Sequence, residues 1–337
     1  MSLIQRRNSI LPFIETELHR QVARLDRSRI QPFYEMLTYH MGWSKEINDH
    51  AGMGKRIRPL ILLLVTECCG GEWQQALPAA AAVELVHNFS LVHDDIQDHS
   101  PNRHGRPTVW NKFGIPLAIN VGDALFAMSN QAVMDLSKDY PSETVVRSGK
   151  ILNSTCLELT CGQYLDMAYQ KRNDMSIDDY WPMIEGKTAA LLSACTQIGA
   201  ILAGADEPLI EQYRIFGQNL GLAFQVQDDI IGVWGNEALT GKSASSDLVE
   251  GKNSLPVLYG IRQGGDFANR WNSSDINPEE VKDLARMLKD EGALEFTRQE
   301  AARLTSLALE ALQFAHPQGD ASVALSELVA ELLERQS

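Results

Sequence analysis

Three aspartates, Asp94, Asp95 and Asp98, crowd five residues of the otherwise oily stretch LVHDDIQD. Clustered carboxylates repel one another unless a positive charge sits among them, so the cluster predicts a bound cation. On a helix, turning about 100° per residue, Asp94 and Asp98 fall about 40° apart on one face with Asp95 beside them, so three carboxylates are expected to share one spot. His87 lies about 20° from Asp94 on that face, with Ser90 one turn below the acids. A second pair, Asp228 and Asp229, ends the apolar run FGQNLGLAFQVQDD and is preceded by Gln225. Two such helices facing each other would make an oxygen-rich cage suited to Mg2+, a hard cation that keeps waters and bridges carboxylates to phosphate oxygens. Either cluster alone also reads as a solvated helix end, but their joint occurrence favours metal.

Basic residues supply the complement. GKRIRPL places Lys55 and Arg58 three apart near a helix start, where free N–H groups also favour anions. Arg103, Lys187, Lys242 and Lys252 stand in loops or beside glycines, within reach of a phosphate. Singly each reads as an exposed charge.

The elements that must position these groups are helices. Residues 79–100, 117–140, 142–181 and 209–255 contain no proline, and apolar residues recur within them at three and four, as in Ile210, Tyr213, Phe216, Leu220 and Phe224. Breaks fall at 68–73, 100–108, 138–143, 204–208, 264–280 and 235–253, the last long and polar like a lid or binding loop. The pattern predicts an all-α fold with one domain over residues 1–337. Of the 337 residues 44% are hydrophobic, enough for a sizeable core. The net charge of −14 argues against nucleic-acid binding, which needs a basic footprint. The five cysteines form no CxxC pair, so zinc and disulfide frameworks are disfavoured. No apolar run is long enough to span a membrane and no signal-peptide core is visible, so a cytoplasmic location is expected.

The order of motifs resembles that of the trans-prenyltransferases, the polyprenyl synthetase or isoprenyl diphosphate synthase family. The likeness runs from about residue 50 to 262: GKRIRP, DDIQD with the basic tail RHGRPT, GQYLD, GKTA, FQVQDD and GKSASSDLVEGKNSLP. It implies a helical bundle around a deep central cavity, a homodimer, and condensation of isopentenyl diphosphate with an allylic diphosphate (dimethylallyl, geranyl or farnesyl). Three Mg2+ ions would be held chiefly by Asp94, Asp98 and Asp228, with Asp95 and Asp229 in support. Arg103, Lys187 and Lys252 would grip the allylic diphosphate, with Lys242 nearby, while Lys55, Arg58 and His87 hold isopentenyl diphosphate. The Lys187 carbonyl, the Thr188 hydroxyl and the Gln225 amide would turn their negative ends to the allylic cation.

Two departures stand out. His104 occupies the place of the second of two tandem arginines, and Gly232 that of a third aspartate after the second pair. A histidine is only partly charged near neutral pH, so binding of isopentenyl diphosphate is expected to weaken as pH rises. Phe89, five residues before Asp94, with the small Ser90 at the fourth, resembles the cavity floor of geranylgeranyl (C20) synthases; a farnesyl (C15) product is the alternative. A class I terpene cyclase, which needs no second diphosphate site, and a non-catalytic synthase subunit, which tends to lose aspartates, are the rival readings.

Overall fold

The computed structural model describes residues 2–44, 54–170, 172, 174–235, 246–273 and 276–333. It is 80% helical, the all-α fold expected. Among the described residues the strands are a two-residue pair, β1 (Asn102–Arg103) and β2 (Arg106–Pro107), antiparallel with Arg103 opposite Arg106. The chain groups into two compact units: Met1–Cys156 with Ala194–Glu211 and Pro317–Ser326, and Leu157–Ser193 with Gln212–His316 and Glu327–Ser337.

In unit 1, α1 (Leu3–Val22) begins at a capping box in which Ser2 and Gln5 satisfy each other's backbone N–H groups. After α2 (Gln31–His40) comes α3 (Ile57–Cys68), buried almost throughout, as its run of leucine and isoleucine requires. Helix α4 (Leu77–Gln97) follows, with an alanine-rich first half, Ala79 to Ala82, buried on all sides. It packs along α6 (Ile115–Asp135), and the approach is close: a Cβ on Gly122 of α6 would lie 2.2 Å from His93 Nε2 of α4. The short helix α5 (Val109–Phe113) precedes α6.

The first long helix to carry unit 2 residues is α7 (Ser142–Tyr169). No proline separates it from α8 (Ile177–Ile184), so the break is made by polar residues and by a capping box between Ser176 and Asp179. A π turn over Glu185–Ala189 joins α8 to α9 (Ala190–Leu202), and α10 (Glu207–Trp234) carries the second acidic pair within its last two turns. Beyond a short helix α11 (Ser246–Val249), a satellite core forms around Val233, Leu248, Val257, Phe267 and Leu288.

Candidate active site

The acidic end of α4 is more differentiated than the helical wheel predicts. Asp95 is 2% exposed and accepts three hydrogen bonds from Arg103, at 3.0, 3.1 and 2.8 Å. Asp94 is half-buried, and Asp98, the C-cap, is exposed. Successive residues turn by about 100°, which separates Asp95 from its neighbour and aims it inward. Asp95 is thus paired with Arg103, while Asp94 and Asp98 lie one turn apart at the helix end. Burial raises the Asp95 pKa, and the Arg103 hydrogen bonds oppose the rise.

Arg103 sits in the hairpin, whose two-residue turn is His104 (φ 50°) and Gly105 (φ 73°). Positive φ at both positions matches the twist of a tight hairpin. The turn tips a basic pocket of unit 1, about 70 Å3 in volume, lined by Arg56, His87, Arg103, His104 and Arg106. Its walls are tied down. Arg106 donates to the carbonyls of Tyr39 (2.5 Å) and His40 (2.8 Å), and Arg56 donates to Glu15 (2.7 Å) and Glu84 (2.8 Å). Burial, followed by Arg58 and Arg103, holds His87 well below the ordinary histidine pKa. Burial, then Arg103 and Arg106, lowers His104 as well. Both rings are therefore weighted toward the neutral form.

Of the residues expected to hold isopentenyl diphosphate, His87 lines this pocket, Arg58 lies close enough to act on it electrostatically, and Lys55 is exposed nearby in sequence but absent from the lining. The structure places Arg103 here too, rather than in the pocket that holds Lys187 and Lys252. Arg56 and Arg106 were missed. Arg56 is buried and left-handed (φ 46°), a conformation that no composition rule anticipates, and its carboxylate partner Glu15 lies in a segment without motifs.

Unit 2 carries the second constellation. One pocket is lined by Asp166, Lys187, Thr188, Gln225, Asp228, Asp247 and Lys252. Glycines bring its parts together: a Cβ on Gly162 would fall 2.2 Å from the Lys187 N, and one on Gly186 would fall 2.6 Å from the Glu158 carbonyl. That contact between α7 and the π turn sets the Lys187 ammonium against Asp166 in an ion pair. Thr188 donates to Gln225 Oε1 (2.8 Å), Gln225 Nε2 donates to Asp229 Oδ1 (3.0 Å), and Tyr180 OH and the Leu255 N–H both donate to Asp229 Oδ2 at 2.8 Å. This chain fixes which face of the Gln225 amide is oxygen. Burial and then the Asp247 charge push the Asp229 pKa up to about 7, against the pull of its hydrogen bonds.

Asp228 is half-buried on the pocket wall, while Asp229 is 4% exposed and spoken for by three donors. Gly232 has a reason to lack a side chain, since a Cβ there would lie 2.0 Å from Asp247 Oδ2. The carboxylate missing from α10 is thus replaced in space by Asp247 from α11, a residue that sequence reading passed over. Lys252, 3.6 Å from Asp247, keeps a raised pKa because Asp247 and Glu250 outweigh its desolvation. Lys242 lies outside the described residues. Phe89 meets Phe126 of α6 at 5.2 Å with the rings tilted by 60° and meets His93 edge-on, and Ser90 turns its hydroxyl to the His87 carbonyl.

The donor set fits a hard divalent cation. Asp94 and Asp98 offer carboxylate oxygens in unit 1 and Asp228 offers them in unit 2, and among the described residues no three acidic, histidine or cysteine side chains are grouped to hold a metal by themselves. Mg2+ is bound in this way, through one or two carboxylates completed by waters and phosphate oxygens.

Comparison with known proteins bears on the family and the fold. The profile of the family described as polyprenyl synthetase matches residues 43–289. The chain is 33% identical over 334 residues to a (2E,6E)-farnesyl diphosphate synthase of Mycobacterium bovis, covering 95% of this chain and 91% of that one. It is 40% identical over 253 residues to a geranylgeranyl diphosphate synthase of Mycobacterium tuberculosis, covering 74% and 70%. Among solved structures, a polyprenyl synthetase from Streptomyces coelicolor superposes with a TM-score of 0.89 at 34% identity, covering 98% of this chain and 100% of that one. A geranylgeranyl pyrophosphate synthetase from Pyrococcus horikoshii superposes at 0.90 with 30% identity, covering 99% and 98%.

Proposed function

From the fact that this chain belongs to the polyprenyl synthetase family, a family of divalent-metal prenyltransferases acting on isopentenyl and allylic diphosphates, we propose that it makes geranylgeranyl diphosphate. Asp94, Asp98 and Asp228 are the carboxylates we assign to Mg2+, three ions with diphosphate bound, while Asp95 and Asp229 position their neighbours. The metal, when bound, supplies positive charge to the departing diphosphate. Lys187 and Lys252 hold that diphosphate, and fixed cations favour the charge that develops on it over the ground state. Thr188, the Gln225 oxygen and the Lys187 carbonyl face the allylic carbon. Arg58, His87 and His104 hold isopentenyl diphosphate at the basic pocket of unit 1.

In the step itself the allylic C–O bond breaks and its electron pair leaves with diphosphate. The isopentenyl double bond attacks the cation, a C–C bond forms, and the proton released passes to a diphosphate oxygen. No protein nucleophile takes part. The observation that carries the reading is the Thr188–Gln225–Asp229 chain: it fixes an amide oxygen in the pocket that also holds Asp228, Lys187 and Lys252.

A C20 product is favoured by the single aromatic floor, Phe89 braced by Phe126. Farnesyl diphosphate is the second reading, favoured by the farnesyl synthase among the relatives. A homodimer is supported by apolar side chains exposed on α6 and early α7, among them Ile119, Met134 and Val146. Incubation of the purified chain with Mg2+, isopentenyl diphosphate and each allylic starter in turn, followed by chromatography of the dephosphorylated prenols, tests the proposal. A C20 alcohol is expected; a C15 end product selects the alternative, a hydrocarbon formed without isopentenyl diphosphate would mean a cyclase, and inactivity of the chain alone would mean a subunit.

A further inference from the structure

Unit 1 contains a further cavity, none of whose lining residues belongs to a sequence motif. It is a groove of about 820 Å3 between α6, α2 and the linker before α2. That volume lies within the roughly 300–1,000 Å3 of small-molecule sites. Its walls are apolar, with Ile30, Phe33 and Met36 on one side and Leu117 and Met128 on the other. Ala124 and Ala127, about one turn apart on α6, keep the floor low.

The charge of the rim decides what fits. Arg24, Arg27 and Arg29 line the groove and, among the described residues, no carboxylate does, although the chain carries 44 acidic residues and a net charge of −14. Arg24 is held by Asp135 at 2.5 Å and by Gln21 at 2.9 Å. Arg27 and Arg29 are exposed and make no ion pair among the described residues. Arginine forks match phosphate oxygens, and an apolar trough beneath them matches a hydrocarbon tail. Only Asn120 and Gln131 add uncharged polar groups to the lining, too few to read a nucleotide base.

We propose that this groove binds one molecule of a long-chain prenyl diphosphate, its head on Arg27 and Arg29 and its tail along α6, as a second site separate from the two pockets that carry the chemistry. The proposal rests on the prenyl-transfer reading, under which the protein itself makes such an amphiphile.

The experiment is calorimetry of the full chain with geranylgeranyl thiolodiphosphate, an analogue that does not ionise readily. EDTA removes the metal-dependent site, and saturating isopentenyl diphosphate fills the basic pocket. One remaining site per chain is expected, weakened at least tenfold by Arg27→Glu/Arg29→Glu and separately by Ala127→Phe, which fills the trough. Both variants are expected to keep wild-type elongation activity with Mg2+, which shows that they fold. Four results would overturn the proposal: no residual site, equal binding of inorganic diphosphate, equal binding to anionic phospholipid vesicles, or conversion of a dimer to a monomer by Ala127→Phe, which would make the groove a contact between copies. If the wild-type chain elongates no allylic starter, the functional reading has failed. If it elongates but shows no EDTA-resistant site, only the groove has failed.

Discussion

Asp229 is the residue whose chemistry is most tightly determined. Its carboxylate accepts from Gln225, Tyr180 and the Leu255 N–H, and Gln225 in turn accepts from Thr188. Asp229→Asn would put an NH2 group against the Gln225 NH2 or against Tyr180 and Leu255, so one donor must turn away. If Gln225 flips, its nitrogen replaces its oxygen beside Thr188. The expected result is a fall in kcat on the order of 10²-fold, as for misplaced reacting groups, with KM for isopentenyl diphosphate little changed. A variant with full kcat would remove Asp229 from a positioning role. His104 gives the pH dependence. Its pKa in the free protein is lowered, and a diphosphate beside it favours the protonated ring, so binding takes up a proton. Affinity is then greatest at low pH and declines as pH rises through the bound-state pKa. Between about pH 6 and 8 the KM for isopentenyl diphosphate should rise in the wild type and stay flat in His104→Arg. Identical profiles would dismiss the idea.

At the scale of elements, the helices were readable because apolar periodicity and proline placement report one chain segment at a time. The break between α7 and α8 was less readable, since it lies in a proline-free stretch and is made by a capping box. The acidic motifs and GKTA were legible as spacing, whereas Tyr180, Asp247 and Arg56 acquire roles only from residues distant in sequence. The inward turn of Asp95 was available from the 100° step, but the identity of its partner was not. Glycine contacts belong to the same class. Gly162→Ala would drive a methyl group into the Lys187 backbone, separating α7 from the π turn and Asp166 from Lys187. Overpacking of this kind costs about 1–3 kcal/mol, readable by urea denaturation, and kcat should fall with it because Lys187 and Thr188 ride on the displaced turn. Unaltered stability and activity would show that the crossing is not a constraint. Between α4 and α6, Phe89→Ala removes the ring that meets Phe126, and chain extension past C20 is expected in the extracted prenols. An unchanged length distribution would place the floor elsewhere.

At the scale of the whole molecule, a chain of net charge −14 has to bind two polyanions, and the two units offer different means of doing so. The pocket of unit 1 has its cations built in: Arg56, Arg103 and Arg106 are fixed by carbonyls and carboxylates, and the histidines add protons on demand. The pocket of unit 2 faces a ligand with Asp166, Asp228 and Asp247 as well as Lys187 and Lys252, so its own field does not favour diphosphate until metal is added. Removal of metal should therefore separate the two substrates. In calorimetry with EDTA, isopentenyl diphosphate is expected to keep most of its affinity, while a non-ionising allylic analogue loses its metal-dependent site and regains it as Mg2+ is restored. Raised salt should weaken isopentenyl diphosphate binding more steeply than it weakens unfolding stability, because the interaction is ionic and partly exposed. Equal loss of both ligands in EDTA would mean that the basic pocket also depends on metal, and the division of labour between the units would have to be abandoned.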